Sequence, residues 1–464
     1  MNADSTSDIA IVGAGITGAS LAAYLRQSRL KILLVEKDWR EQDRIVGELL
    51  QPGGVEQLKA MQLEHCLEGF DAQAVSGYAV FKNNEHFTVE YPKDAAGNNL
   101  MGRGFHNGKF VEKIRAAAKQ GTNVTCVEGE VASLEQTETH VTGIRVRLKN
   151  SDSEVLFTAA LTVVSDGIFS VFRNQLCEIQ KEVSGYFLGL VLKHCSLPFP
   201  NHGHVFAGGK TPFLAYPISS SETRMLIDFP GGEAPRKGTL LNTYLQEQVR
   251  PFLPKMMYPS FDAAIQEGKF KVMPNHYLPA KPKYKAGVVI MGDALNMRHP
   301  LTGGGMTVAF SDVKRLGDLL LSIQESSIFT EANILAAVKN FYEQRSSSDA
   351  TINILANALY KVFSHETLSQ ACFDYLKQGG KQAAQPVALL SAVSRKRSLL
   401  LRHFFAVAVQ GAGGKVLQRP TVSNLKQSFG MFSDAVKIVS PLLINEQPGK
   451  AEKMALWIGS KIFA

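Results

Sequence analysis

The stretch Asp8-Ile9-Ala10-Ile11-Val12-Gly13-Ala14-Gly15-Ile16-Thr17-Gly18 decides the fold class. Asp8 to Gly13 is a short apolar run of the kind that forms a buried strand, and a helix follows through Ala22 and Leu25. Leu30 to Val35 repeats the buried-strand pattern and ends in Glu36. The spacing has a mechanical meaning. Gly13 permits a tight turn, Gly15 lets a pyrophosphate approach the backbone, and Gly18 lets helix and strand pack closely. Glu36 falls where a ribose hydroxyl would sit. Strand, glycine turn, helix and an acid at the next strand end together predict dinucleotide binding on an α/β scaffold.

Outward from this stretch, 464 residues allow about three domains and a large core. The formal charge is +8, and its placement is informative. Residues 385–464 hold eleven Lys/Arg against three acids, which is the whole excess, so residues 1–384 are neutral. Five scattered cysteines show no zinc or redox spacing, and a disulfide framework is not expected. His194, His202 and His204 lack a neighbouring acid or cysteine pattern, so no metal is expected. The first strand pattern begins almost at once, at Ile9, so no signal peptide is expected. No run of about 18 apolar residues occurs; the best candidate, Leu399 to Val409, is broken by Arg402 and His403.

Ser76 to Tyr91 and Tyr186 to Phe229 are β-rich and read as a second sheet inserted into the nucleotide domain. Gly287 to Met291 is a further buried strand ending at Gly292-Asp293. Gly303-Gly304-Gly305 then leads into a helix whose N-terminus can meet a polar ring edge. Beyond about residue 320 the pattern is helical, including Ala350 to Phe363 and Val387 to Val409.

Three motifs in order, Gly13 to Gly18, Asp166-Gly167 and Gly292-Asp293, resemble FAD-dependent monooxygenases with a single dinucleotide-binding domain. Two longer strings, Arg44-Ile45-Val46-Gly47-Glu48-Leu49-Leu50-Gln51-Pro52-Gly53-Gly54 and Gly292-Asp293-Ala294-Leu295-Asn296-Met297-Arg298-His299-Pro300-Leu301-Thr302-Gly303-Gly304-Gly305-Met306, look like the squalene epoxidase (squalene monooxygenase) family. The resemblance begins at about Ile9, so the N-terminal membrane extension of the family's longer animal forms is not expected.

The resemblance implies an FAD-binding Rossmann-like domain (1–40, 98–170 and 276–320), an inserted β-sheet substrate domain (41–97 and 171–275) and a C-terminal helical membrane-associated region (321–464). Beside Gly13, Gly15 and Gly18, it implies FAD contacts at Ile16, Thr17, Glu36, Lys37, Arg44, Leu49, Arg103, Val131, Asp293 and Met306, with the Gly304 backbone facing the reduced ring. It places Tyr78, hydrogen-bonded to Gln51, in the active site. The implied reaction is FAD- and O2-dependent epoxidation of squalene, with electrons from NADPH through a partner reductase because no second dinucleotide turn is visible. An apolar substrate needs an apolar cavity, for which Phe187, Leu188, Leu190, Leu192, Phe206, Phe213, Leu214, Tyr216 and Pro217 are candidate walls.

The basic tail interleaves cations with Phe404, Phe405, Phe429, Phe432, Met454, Trp457, Ile458 and Phe463, which suits helices lying on an anionic membrane surface. A packed helical subdomain is the alternative there, and nucleic acid is not an expected partner. The expected location is intracellular and membrane-associated: endoplasmic reticulum if eukaryotic, inner membrane if bacterial. Two other functions fit the scaffold, another flavin monooxygenase or isoprenoid reductase and a flavin-free prenyl-lipid carrier.

Overall fold

The computed structural model describes residues 6–149, 151, 153–231, 233–325, 329–418 and 422–446. Ile9 to Val12 carry no polar alternation because both faces of their strand are covered. β1 (Thr6–Val12) lies parallel between β2 (Ile32–Glu36) and β10 (Glu154–Val164). β8 (Val124–Gln136) flanks β2, and β16 (Val288–Ile290) flanks β10. β9 (Val141–Leu148) joins the long ends of β8 and β10 as an antiparallel meander. Helices α1 (Ile16–Tyr24), α3 (Asn107–Lys119) and α7 (Gly305–Glu325) pack together on this sheet in one large core. The register places the site. Val12 pairs with Val164 and Val164 with Ile290, so three chains leave the sheet side by side at Gly13, Asp166 and Gly292-Asp293.

A second sheet runs β15 (Lys271–Tyr277), β11 (Glu182–Lys193), β14 (Glu222–Pro230), β13 (Phe213–Pro217), β12 (His202–Phe206), β5 (Gly77–Lys82), β6 (Glu85–Glu90). Its side chains alternate. Leu188, Leu190, Leu192, Phe206 and Phe213 bury one face under α5 (Thr239–Tyr244) and α6 (Tyr258–Glu267). Phe187, Leu214, Tyr216 and Leu226 form a separate cluster with Leu301. A small sheet of β3 (Leu49–Leu50), β7 (Gly102–Gly104) and β4 (Gln73–Val75) carries α2 (Pro52–Ala60), and α4 (Arg173–Leu176) follows the first sheet.

The remaining helices are α8 (Glu331–Ser348), α9 (Ala350–Phe363), α10 (Glu366–Lys377), α11 (Gly380–Leu390), α12 (Arg397–Gln418) and α13 (Val422–Glu446). The periodicity of Val387 to Val409 reads as one helix, but the chain breaks at Ser391, with Ala392 at φ 58°. The break turns the Ser391 carbonyl onto the first turn of α2, where it accepts from Gly53 N at 2.9 Å. A Cβ on Gly53 would lie 2.7 Å from the Ala392 carbonyl oxygen. Behind this contact two fully buried carboxylates face three guanidiniums. Arg315 reaches both Asp312 and Asp349 (3.1 and 3.2 Å), Arg345 reaches Asp312 (2.8 Å) and Arg395 reaches Asp349 (3.0 Å). Burial pushes Asp312 up to about 7, whereas at Asp349 the surrounding arginines outweigh burial and hold the carboxyl below its ordinary value.

The small sheet is fixed to the large one by a second buried pair. Glu48 accepts from Arg224 Nε at 2.6 Å and Nη2 at 2.9 Å, with both side chains almost inaccessible. Burial lifts Glu48 above the usual carboxylate range and Arg224 offsets part of that lift. Removing one member of such a pair strands the other charge in the core. Glu48→Gln is therefore expected to destabilise the fold by about 3–5 kcal/mol, read from urea unfolding. The double change Glu48→Met with Arg224→Met is expected to recover most of that loss.

Candidate active site

The glycine turn is held from below. Gly13 adopts φ 91°, and a Cβ there would lie 2.9 Å from the Ser165 carbonyl oxygen. A Cβ on Gly18 would overlap the Gly13 carbonyl and press on Ser165 Oγ. Gly15 differs: its Cβ would meet nothing within 4 Å, and it caps α1 with no side-chain hydrogen bond to the free N–H groups. The Glu36 carboxylate accepts from Ala14 N at 2.8 Å and Asp38 N at 3.1 Å. Across the row, Gly292 at φ 64° sits against Thr17, so the first and third motifs touch. Open space at an uncapped helix N-terminus, with an anchored acid beside it, fits the pyrophosphate and ribose of FAD.

Two arginines that the sequence reading passed over brace this edge. Arg115, buried on α3, donates to the Ala14 carbonyl at 2.8 Å and the Trp39 carbonyl at 3.0 Å, and lies 3.6 Å from Glu36. Arg173 on α4 donates to the carbonyls of Ala294 (2.8 Å), Gly167 (2.9 Å) and Asp293 (3.1 Å), clipping the second motif to the third. An arginine on the apolar face of an amphipathic helix was the signal for Arg115. Nothing in the spacing marked Arg173.

The other expected cofactor contacts are spread along the same edge. Exposed Lys37 lines an open groove with Gly129 and Glu130, and Val131 is buried in β8 just beyond. Arg44 is exposed and Arg103 is half-buried on β7; among the described residues neither has a carboxylate at ion-pair distance. The Asp293 side chain is exposed and makes no ion pair among the described residues. Leu49 and Gly303 are neighbours, Gly304 is buried against Ile352, and Met306 lies in the first turn of α7 near Gly47.

Beyond the glycine loop opens a narrow apolar cleft, with a cavity volume of about 60 Å³. Tyr78 and Val80 of β5, Phe87 and Val89 of β6, and Leu214 of β13 form one wall. Leu359 and Phe363 of α9, Phe373 and Leu376 of α10, and Val387 and Leu390 of α11 form the other. Leu301 and Thr302 close it against the glycine loop. Of the wall residues expected from sequence only Leu214 lines it, because the alternation of the strands turns most of the rest under α5 and α6. Gln51, fully buried at the start of α2, donates through Nε2 to Tyr78 Oη (2.7 Å) and the Thr302 carbonyl (3.0 Å). Tyr91 donates to Gln51 Oε1 at 2.8 Å, a partner absent from the sequence reading.

Comparison with known proteins matches these features to one family. The squalene epoxidase family model matches residues 158–429, and the FAD dependent oxidoreductase model matches residues 8–74. Squalene epoxidase 3 of Arabidopsis thaliana is 43% identical over 444 residues, 94% of this chain and 84% of that protein. The chain belongs to the squalene epoxidase family. A Schizosaccharomyces pombe squalene epoxidase is 38% identical across 95% of this chain and 98% of its own length, and the Mus musculus squalene monooxygenase is 38% identical across 95% and 78%. Among solved structures, a probable FAD-dependent monooxygenase from Pseudomonas aeruginosa superposes with TM-score 0.63 at 20% identity, covering 77% of this chain and 97% of its own. A Cytophaga hutchinsonii flavoprotein/dehydrogenase gives 0.68 at 16% identity, covering 88% and 100%. These likenesses show the shared FAD-dependent fold, and with the family they make the protein an FAD-dependent monooxygenase.

The glycine geometry separates fold from cofactor within this family site. Gly15→Val, projecting into open space, is expected to leave the apoprotein melting temperature within about 2 °C while weakening FAD binding at least about tenfold, a difference of about 1.4 kcal/mol. Gly18→Ala, which would drive a methyl group into the Gly13 carbonyl, is expected to lower the melting temperature itself. Flavin titration and thermal unfolding of the two apoproteins check both outcomes.

Proposed function

We propose that this protein epoxidises squalene to 2,3-oxidosqualene with FAD and O2, and that its electrons come from NADPH through a separate reductase. The observation that carries the reading is an apolar cleft with one polar cluster, closed against the loop that leads into α7. Bound FAD supplies the reduction of O2 and the transfer of one oxygen atom. The chain's residues bind and shield. Backbone N–H groups at Gly15 and Ile16 take the pyrophosphate, Glu36 takes a ribose hydroxyl, and Asp293 takes a ribityl hydroxyl. Arg44 and Arg103, which have no carboxylate at ion-pair distance among the described residues, offset phosphate and ring charge. The N–H groups of Gly304 to Met306 favour negative charge on the ring edge they face. The cleft holds an alkene with no polar atom by shape and excludes water from it.

Purified protein loaded with FAD and given squalene, a reductase, NADPH and 18O2 is expected to yield 2,3-oxidosqualene carrying one labelled atom per molecule. Full flavin loading with no labelled product would overturn the reading. Reduced isoprenoid formed without O2 uptake would favour the reductase alternative.

We also propose contact with a membrane surface. No described helix is long and apolar enough to cross a membrane. Val409 on α12 and Ile444 on α13 are exposed apolar side chains, and Arg402 lies on the same stretch of α12. The tail residues Met454, Trp457, Ile458 and Phe463 lie outside the described residues, as do the side chains of Phe429 and Phe432. Residues 385–395 cannot be treated as a detachable tail, since Val387 and Leu390 line the cleft and Arg395 pairs with Asp349. A chain ending at Glu446, without Lys450, Lys453 and Lys461, is expected to bind phosphatidylserine vesicles several-fold more weakly at 0.15 M salt while retaining its flavin. Unchanged sedimentation with vesicles would count against the surface reading.

A further inference from the structure

The wall of the cleft is apolar in all but two places. Among the described residues that line it, only Tyr78 and Thr302 carry a polar side-chain atom. The Tyr78 oxygen is engaged, since it accepts from Gln51 Nε2 at 2.7 Å. The Thr302 hydroxyl is not. Thr302 is buried, and among the described residues its Oγ1 has no hydrogen-bond partner.

The backbone around that hydroxyl is fixed from every side. Pro300–Thr302 forms a single turn of helix, capped at its start by the His299 ring, which accepts from Leu301 N at 3.3 Å. Gly303, at φ 62°, ends the turn and donates to the Pro300 carbonyl at 3.0 Å. The Thr302 carbonyl accepts from Gln51 Nε2 at 3.0 Å. Oγ1 lies 3.5 Å from the place a Cβ on Gly304 would take, so the hydroxyl stands at the end of the cleft that meets the glycine loop.

A threonine hydroxyl has one hydrogen to give. Left unpaired among apolar side chains it is destabilising, and squalene offers no atom that could relieve it. Valine has nearly the same shape and would suit a hydrocarbon better. An unsatisfied buried polar group of this kind calls for a ligand that satisfies it. The proposed reaction makes one: oxygen is transferred where the cleft meets the glycine loop, and the resulting epoxide oxygen is a hydrogen-bond acceptor.

Resting on that reaction, we propose that Thr302 Oγ1 is the donor of a subsite for the epoxide oxygen. No covalent bond changes when the hydroxyl meets it. The consequence is directional. 2,3-Oxidosqualene lies with its oxidised end on Thr302 and its remaining terminal alkene away from the glycine loop, so the cleft favours stopping at one epoxide.

The test is equilibrium binding of squalene and of 2,3-oxidosqualene to oxidised, FAD-loaded protein without reductase, so that no turnover occurs. Thr302→Val keeps the shape and the carbonyl to Gln51 but removes the donor. It is expected to weaken oxidosqualene binding about tenfold, a difference of about 1.4 kcal/mol, and to leave squalene within about twofold. Thr302→Ser keeps the hydroxyl and is expected to hold the epoxide within about threefold of the unaltered protein. An unchanged preference in Thr302→Val, or an equal loss for both ligands, would overturn the proposal. A loss of preference in Tyr78→Phe with none in Thr302→Val would make Tyr78 the donor and overturn it too.

Should Thr302→Val fail to load flavin, the unaltered protein still decides. It is expected to bind oxidosqualene about tenfold more tightly than an analogue with CH2 in place of the epoxide oxygen; equal binding overturns the subsite. With reductase, NADPH and saturating oxidosqualene, Thr302→Val is expected to form the doubly epoxidised product about fivefold faster, relative to its own turnover of squalene, than the unaltered protein does. Damage to the fold slows both turnovers without raising that ratio, and an unraised ratio overturns the directional reading. If the unaltered protein forms no labelled oxidosqualene, the epoxidation reading fails while the binding constants remain readable, so the two failures are told apart.

Discussion

The rest of the molecule depends on three parallel strands ending in register. Because Val12, Val164 and Ile290 share one row, Gly13, Asp166 and Asp293 emerge together although they are separated by more than a hundred residues of chain. Backbone hydrogen bonding sets this row, so the cofactor edge inherits the precision of a sheet and not the latitude of loops. The side chains then lock it from both ends. Arg115 holds the glycine turn to the second strand's acid, and Arg173 ties the two later motifs together through main-chain oxygens. An edge organised in this way leaves open space beyond Gly15.

How much of this was legible in the sequence follows from how local each determinant is. The glycine turn, its flanking strands and Glu36 are contiguous, and each residue's requirement can be read from its neighbours. The pairing of Gln51 with Tyr78 came from resemblance, not from spacing. Tyr91 escaped both: it follows β6 as an ordinary strand-end aromatic, and only the hairpin that folds it beside Tyr78 reveals its partner. Glu48 and Arg224 lie 176 residues apart, and no periodicity relates them. The cleft walls were misread for a sharper reason. Strand alternation says that residues divide between two faces, but not which face the helices α5 and α6 will cover, so Leu188, Leu190 and Leu192 were taken for lining when they are core.

The two halves of the site answer different physical demands. At the edge where we propose that FAD binds, the first N–H groups of α1 have no side-chain cap, and among the described residues Arg44 and Arg103 have no carboxylate at ion-pair distance. In the cleft the wall is mostly apolar, and its buried amide, Gln51, is held by Tyr78, Tyr91 and the Thr302 carbonyl. The junction of the two is the short run from Leu301 to Gly305, where Thr302 gives its carbonyl to Gln51 while the next residues open toward the start of α7. Polarity changes there within the length of one turn.

The docking of Ser391 onto Gly53 has a consequence for how the protein is made. The dinucleotide sheet is complete once β16 has been synthesised, at residue 290, and can fold as the chain emerges. The second sheet also has all its strands by then, yet α9 to α11, which cover its cleft face, lie at residues 350–390. For the time taken to translate those residues, a growing chain presents a broad face of Phe87, Val89 and Leu214 to water beside a nearly finished domain. A nascent chain stalled in that window would offer this apolar face to its neighbours.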